Sequence, residues 1–208
     1  ENKYTLRDNK LTFNSLDLTA DGFAQLNGDD IVTDFTFKTA SEEFKSFLSI
    51  IPNAFTADFK DVQTKGKASV QGIIKGVYNG VTGSMPGFDV KINVADGYFK
   101  YPTLPQSVSD IFADINIKAM RPDYKDMNVN IPNFKMKLGG DPISGKILAS
   151  NLTGDQNVEG FVKGTLNLKN IIASFPMQGV QELSGILKCD LDFKAKMSDV
   201  NAENYEAI

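Results

Sequence analysis

Apolar and charged positions alternate with a period of two over most of this chain. In the clearest stretch, Leu187, Cys189, Leu191, Phe193, Ala195 and Met197 alternate with Lys188, Asp190, Asp192, Lys194 and Lys196. Successive side chains of a strand point to opposite faces, so this spacing predicts one apolar face and one charged face. At ~3.3 Å per residue the strand is about 36 Å long. The same alternation predicts strands at Phe88-Val90-Ile92-Val94, at Ile115-Ile117-Ala119 and at Met127-Val129-Ile131. It resumes after Pro132 as Phe134-Met136-Leu138. Proline cannot donate to a ladder, so Pro132 marks a bulge or an edge. Weaker alternation appears at Ala68-Val70, at Val158-Val162-Leu166, and at Tyr4-Leu6, Leu11-Phe13 and Leu16-Leu18. Turn residues separate these runs: Asp8-Asn9, Asp21-Gly22, Asn27-Gly28-Asp29, Asn79-Gly80, Pro86-Gly87 and Gly139-Gly140-Asp141-Pro142. Such short separations suit antiparallel hairpins rather than parallel crossovers.

A helical period shows in only a few places. FKSFLSIIP (44–52) and LKNIIASFP (168–176) share one pattern, with apolar residues first, fourth, fifth and eighth, Lys second and Pro last. Four apolar side chains then lie on one helical face, and the proline stops the helix. Thr39-Ala40-Ser41-Glu42 fits a capping box ahead of the first. A third short helix is expected in LPQSVSDIF (104–112), opened by Pro105. Each of the two matching helices follows a strand-like stretch. Each precedes a loop, a glycine and another alternating strand, GKASVQGIIKG from Gly66 and GILKCDLDFKAK from Gly185. The order repeats, so units of about 31–76 and 158–197 read as an internal strand–helix–strand repeat. The expected fold is mainly β: one domain over 1–208 built on a long curved antiparallel sheet, an open groove or half-barrel, with two or three short amphipathic helices.

Composition narrows the chemistry. There is no histidine, which removes Ser-His-Asp and Cys-His triads and every histidine metal site in this chain. The net charge of −4, with signs mixed along the chain, gives no basic stripe for nucleic acid. Tryptophan is absent, which weakens a stacking platform for sugars or bases. The single cysteine, Cys189, sits among apolar neighbours on one strand face, where it acts as a small hydrophobe rather than a nucleophile. Asp190 and Asp192 are spaced like a carboxylate pair of a glycosidase. They share their face with Lys188, Lys194 and Lys196, however, so a solvated charged surface is the better reading. Asn27 to Asp30 lacks the acidic spacing of a calcium loop, and Gly80 to Gly87 fits no phosphate-loop pattern. No run of about 20 apolar residues spans a membrane. The opening Glu1-Asn2-Lys3 reads like a segment cut from a longer protein.

The stretch MPGFDVKINVADGYFKYPTLPQSVSDI (85–111), with FKSFLSIIP before it and GTLNLKNII after it, resembles the AsmA-like family. These are envelope proteins of Gram-negative bacteria related to TamB and the bridge-like lipid-transfer proteins. The resemblance implies an inner-membrane anchor outside this chain and a periplasmic body. It also implies a curled β-sheet whose apolar groove serves phospholipid transport and outer-membrane integrity. Phospholipid acyl chains, and possible envelope partners, are then the expected ligands, with no enzymatic activity, cofactor or metal. The lipid-facing candidates are Val90, Ile92, Val94, Val129, Ile131, Leu187, Leu191 and Phe193. Alternatives remain open. A self-filled β core would make the module a scaffold that pairs through sheet edges, and the two helices would then cover core rather than gate a groove.

Overall fold

The computed structural model describes residues 2–39, 43–48, 62–102, 105–174 and 183–201. Among these residues ten strands form one antiparallel sheet in strict sequence order. They are β1 (Asn2–Phe13), β2 (Leu16–Asn27), β3 (Asp30–Thr39), β4 (Gln63–Asn79), β5 (Gly87–Lys100), β6 (Val108–Ala119), β7 (Asn128–Leu138), β8 (Asp141–Ser150), β9 (Asn157–Asn167) and β10 (Ile186–Lys196). β1 and β10 are the two edges, so the sheet does not close into a barrel. Among the described residues three short helices accompany it: α1 (Phe44–Leu48), α2 (Leu168–Ser174) and α3 (Met197–Asn201). α1 lies between β3 and β4, and α2 between β9 and β10. In an antiparallel meander both connections leave an odd strand for an even one, so both helices stand at the same end of the sheet.

Several local expectations need correction. Asp8-Asn9 and Asp21-Gly22 are not turns: β1 and β2 run through them as one hairpin, with a register shift between Leu6 and Asn9. Asp8 is the extra residue. It takes a left-handed φ of 52°, which aspartate tolerates, and its N–H is bonded to the Asp21 carboxylate at 2.8 Å. Asp96 and Asp110, at the same φ, accompany the register shifts at Val94/Gly97 and Ser109/Phe112. The expected helix over 104–112 is not formed across its described residues, 105–112. Val108 onward is strand β6, because that segment pairs with β5 on one side and β7 on the other. A two-sided ladder outweighs the weak helical signal opened by Pro105. The third helix is instead α3, beginning at Met197, where β10 stops one residue short of its expected end. Pro132 does mark a bulge, between Ile131 and Phe134, inside the sheet rather than at an edge.

The capping box also fails in part. Thr39 ends β3, and its hydroxyl accepts a hydrogen bond from the Val70 N–H at 3.3 Å, while Ala40 to Glu42 lie outside the described residues. α1 opens instead from the Glu43 carbonyl, which accepts from the N–H groups of Ser46 and Phe47. Ile51, Pro52, Phe175 and Pro176, the expected ends of the two helices, also lie outside the described residues. At the base of α2, the Asp141 carboxylate accepts from the Asn167 N–H at 2.8 Å and the Asn170 side-chain amide at 2.9 Å. This ties the helix to the start of β8.

Candidate functional site: an apolar face running across the sheet

Strand pairing sorts every side chain of the ladder onto one of two faces. One face is apolar along uninterrupted rows. Ala20, Phe37, Gly72, Val90, Ile117, Val129, Ala149, Val158 and Ala195 pair in succession from β2 to β10. A second row runs Ala68, Val94, Ala113, Phe134, Gly145, Val162, Leu191 from β4 to β10. A third runs Ile131, Ile147, Gly160, Phe193. No charged residue falls in any of these rows. At about 4.8 Å between strands, the eight steps from β2 to β10 carry the first row over roughly 38 Å.

All eight sequence candidates lie on this face, but their surroundings differ. Ile92 and Val94 are buried in the only closely packed cluster among the described residues. There α1 lays Phe44, Phe47 and Leu48 onto Leu16, Ala68, Val70, Ile92 and Val94. The Phe44 and Phe47 rings stack at 6.2 Å between centroids. Val90 packs against the edge of the same cluster. Val129, Ile131 and Phe193 are half-buried, and Leu187 and Leu191 are exposed. Among the described residues the face is thus filled under α1, while at its far edge Leu187 and Leu191 of β10 stay exposed. Cys189, half-buried between them, donates its S–H to the Val162 carbonyl at 3.5 Å.

Glycines on the apolar face are what the alternation pattern alone misses. A Cβ added at Gly145 would stand 2.2 Å from the Phe161 carbonyl oxygen, and one at Gly160 would stand 2.2 Å from that of Lys146. Neighbouring backbone therefore passes directly over these positions, as it does where a sheet bends sharply toward the face that carries the glycines. An aromatic ring covers each gap: Phe37 over Gly72, Phe134 over Gly145 and Phe193 over Gly160. The signal was present in VEGFVKG (158–164), where glycine takes every second inward position. The strand β8 was missed for the same reason, since Gly145 interrupts the apolar series Ile143, Ile147, Ala149.

The opposite face is charged and hydrogen-bonded across strands. Asn116 donates to Asp89 and Asn93 to Asp114, each at 2.6 Å, and Lys75 pairs with Asp34 at 2.8 Å. Its aromatic exceptions are shielded by lysines: Lys3 stands 3.7 Å from the Phe23 ring centre and Lys146 5.6 Å from that of Phe161. Asp190, one of the carboxylate pair noted in the sequence, bonds Lys163 at 3.0 Å on this solvated surface. An open cleft of ≈ 440 Å³ on this face is lined by Asp21, Lys38, Asp89 and Lys91 among others. Its carboxylates serve the ladder: Asp21 holds the Asp8 bulge, and Asp89 accepts from Asn116 and faces Lys118 at 3.8 Å.

Shifted titrations fall on connections rather than on the apolar face. Backbone N–H donation from Arg121 draws the Asp126 carboxyl below its usual range, and donation from Lys125 does the same for Asp123. Burial raises the phenols of Tyr101 and Tyr124. Among the described residues, no three carboxylates, cysteines or histidines gather as a metal site, and no helix is long and apolar enough to cross a membrane. No family model, curated protein or solved structure matches the chain.

Proposed function

We propose that the chain binds lipid acyl chains along its apolar sheet face and guides them in a bacterial envelope, without catalysing a reaction. The observation that supports this reading is the unbroken apolar row from Ala20 to Ala195, with Leu187 and Leu191 exposed on the same face of β10. An acyl chain of about 16 carbons costs about 13 kcal/mol to hold in water, at about 0.8 kcal/mol per methylene. A carrier must replace that water continuously, and an uninterrupted row does so where isolated pockets do not. The charged face stays solvated while the headgroup remains in water at the rim. Placement in the periplasm, beneath an inner-membrane anchor, belongs to the same proposal and rests on the AsmA-like resemblance of residues 85–111.

A second reading is a scaffold whose apolar face is only its core. The packed cluster under α1 favours it for the β2 to β5 half of the face. Incubation with vesicles carrying a fluorescent phospholipid, followed by separation of protein from vesicles, distinguishes the two. Co-purifying lipid is expected with the natural chain. It is expected to fall at least several-fold in Leu191→Glu, a change at an exposed position that leaves the packed cluster intact. No lipid with the natural chain would support the scaffold, and equal lipid in both proteins would overturn a lipid path through Leu191.

A further inference from the structure

We infer that copies of this sheet join head to tail, β10 of one copy pairing antiparallel with β1 of the next, so that the apolar face continues across the junction. Among the described residues nothing pairs with the outer side of β1 or β10. Soluble proteins blunt such edges by shortness, proline, bulges or inward charge. β10 carries Lys188, Lys194 and Lys196, but only on its charged face; it is 11 residues long, contains no proline, keeps unbroken register with β9, and points Leu187, Leu191 and Phe193 to the apolar face. Leu191 is 53% exposed and Ile186 70%. On the other edge, Tyr4, Leu11 and Phe13 are exposed in the same way.

The occupant is argued from polarity and charge. An even number of strands leaves β1 and β10 running in opposite directions, so a translated copy presents β1 antiparallel to β10 with its apolar face on the same side. One register uses the length of both strands and allows for the extra residue at the Asp8 bulge. In it Leu187 meets Phe13, Cys189 meets Leu11 and Phe193 meets Leu6 on the apolar face, where Leu191 meets the polar Asn9. On the charged face Asp190 meets Lys10 and Asp192 meets Arg7; only Lys196 meets a like charge, Lys3. Opposite-charge and apolar cross-strand pairs each favour such a junction, and a like pair opposes it by a similar amount. The inference concerns the sheet edges and does not depend on what the apolar face holds.

Native Cys189 provides the test. Leu11→Cys places a second thiol opposite it in the next copy, and mild oxidation is expected to give a ladder of dimers, trimers and longer species on non-reducing gels. Thr12→Cys, one residue along and on the charged face, is expected to give no ladder. Sedimentation of the unaltered chain is expected to show mass rising with protein concentration. Leu191→Lys, which puts an inward charge on the free edge, is expected to remain monomeric. A natural chain that stays monomeric at high micromolar concentration would overturn the inference. So would oxidation that stops at dimers, or an equal ladder from Thr12→Cys. Lipid is absent from every arm, so failure here leaves the lipid reading standing, and the reverse.

Discussion

Gly160→Val is expected to be among the most damaging single substitutions on the β7 to β10 half of the sheet, costing about 3 kcal/mol or more. The added Cβ would stand 2.2 Å from the Lys146 carbonyl oxygen and 3.1 Å from the ring of Phe193. The first contact is with backbone, which cannot rotate away as a side chain would. Relief requires β8 and β9 to separate or flatten, and either breaks the ladder between Ile147 and Gly160. Denaturant unfolding followed by circular dichroism checks this. Gly28→Asn is the control: it sits in the β2–β3 turn with φ +62°, meets nothing within 4 Å, and asparagine tolerates that conformation. A change there well under 1 kcal/mol is expected. Similar losses at both glycines would mean that close backbone approach is not what selects glycine at 160.

The second large effect is expected at the other end of the face. Phe44→Ala should cost about 3 kcal/mol, within the range for deleting a buried phenylalanine ring. Phe44 is 3% exposed and is seated with Phe47 and Leu48 on the sheet. A helix this short has no stability of its own in water, so nearly all of its order comes from that packing. The loss should therefore appear first as hydrogen exchange in α1 and at Ala68, Val70, Ile92 and Val94, ahead of β7 to β10. Uniform loss of protection across all ten strands would contradict a face that is packed under α1 and exposed at β10.

These two predictions mark what the alternation does and does not convey. Leu187 to Lys196 was legible because each apolar residue contributes to a face whose period is fixed by the pleat. The same rule placed Val90, Ile92, Val94, Val129, Ile131, Leu187, Leu191 and Phe193 on one side, where pairing joins them. What the rule could not convey was which of them lie beneath α1, since Ile92 and Leu191 read alike in sequence and differ only in tertiary cover. The Asp8 bulge and the Asp21-Gly22 stretch opposite it look like turns in sequence because both carry turn chemistry. Only the ladder shows that a left-handed aspartate can sit inside a long strand rather than end it. The inward glycines were silent because an absent side chain leaves no mark on a hydrophobic period. Gly145 even concealed a strand. The 104–112 segment failed for the opposite reason: a local helix signal was present, and two neighbouring strands overrode it.

Photo-crosslinking from adjacent positions of β10 tests the lipid path most directly. A photoreactive residue at Leu191 faces the apolar row, and one at Asp192 faces the charged surface. With the protein in a native envelope, or beside phospholipid vesicles, adducts of lipid mass are expected at Leu191 and not at Asp192. Lipid adducts at neither position, with both proteins folded and abundant, would show the apolar face to be a core without a passenger.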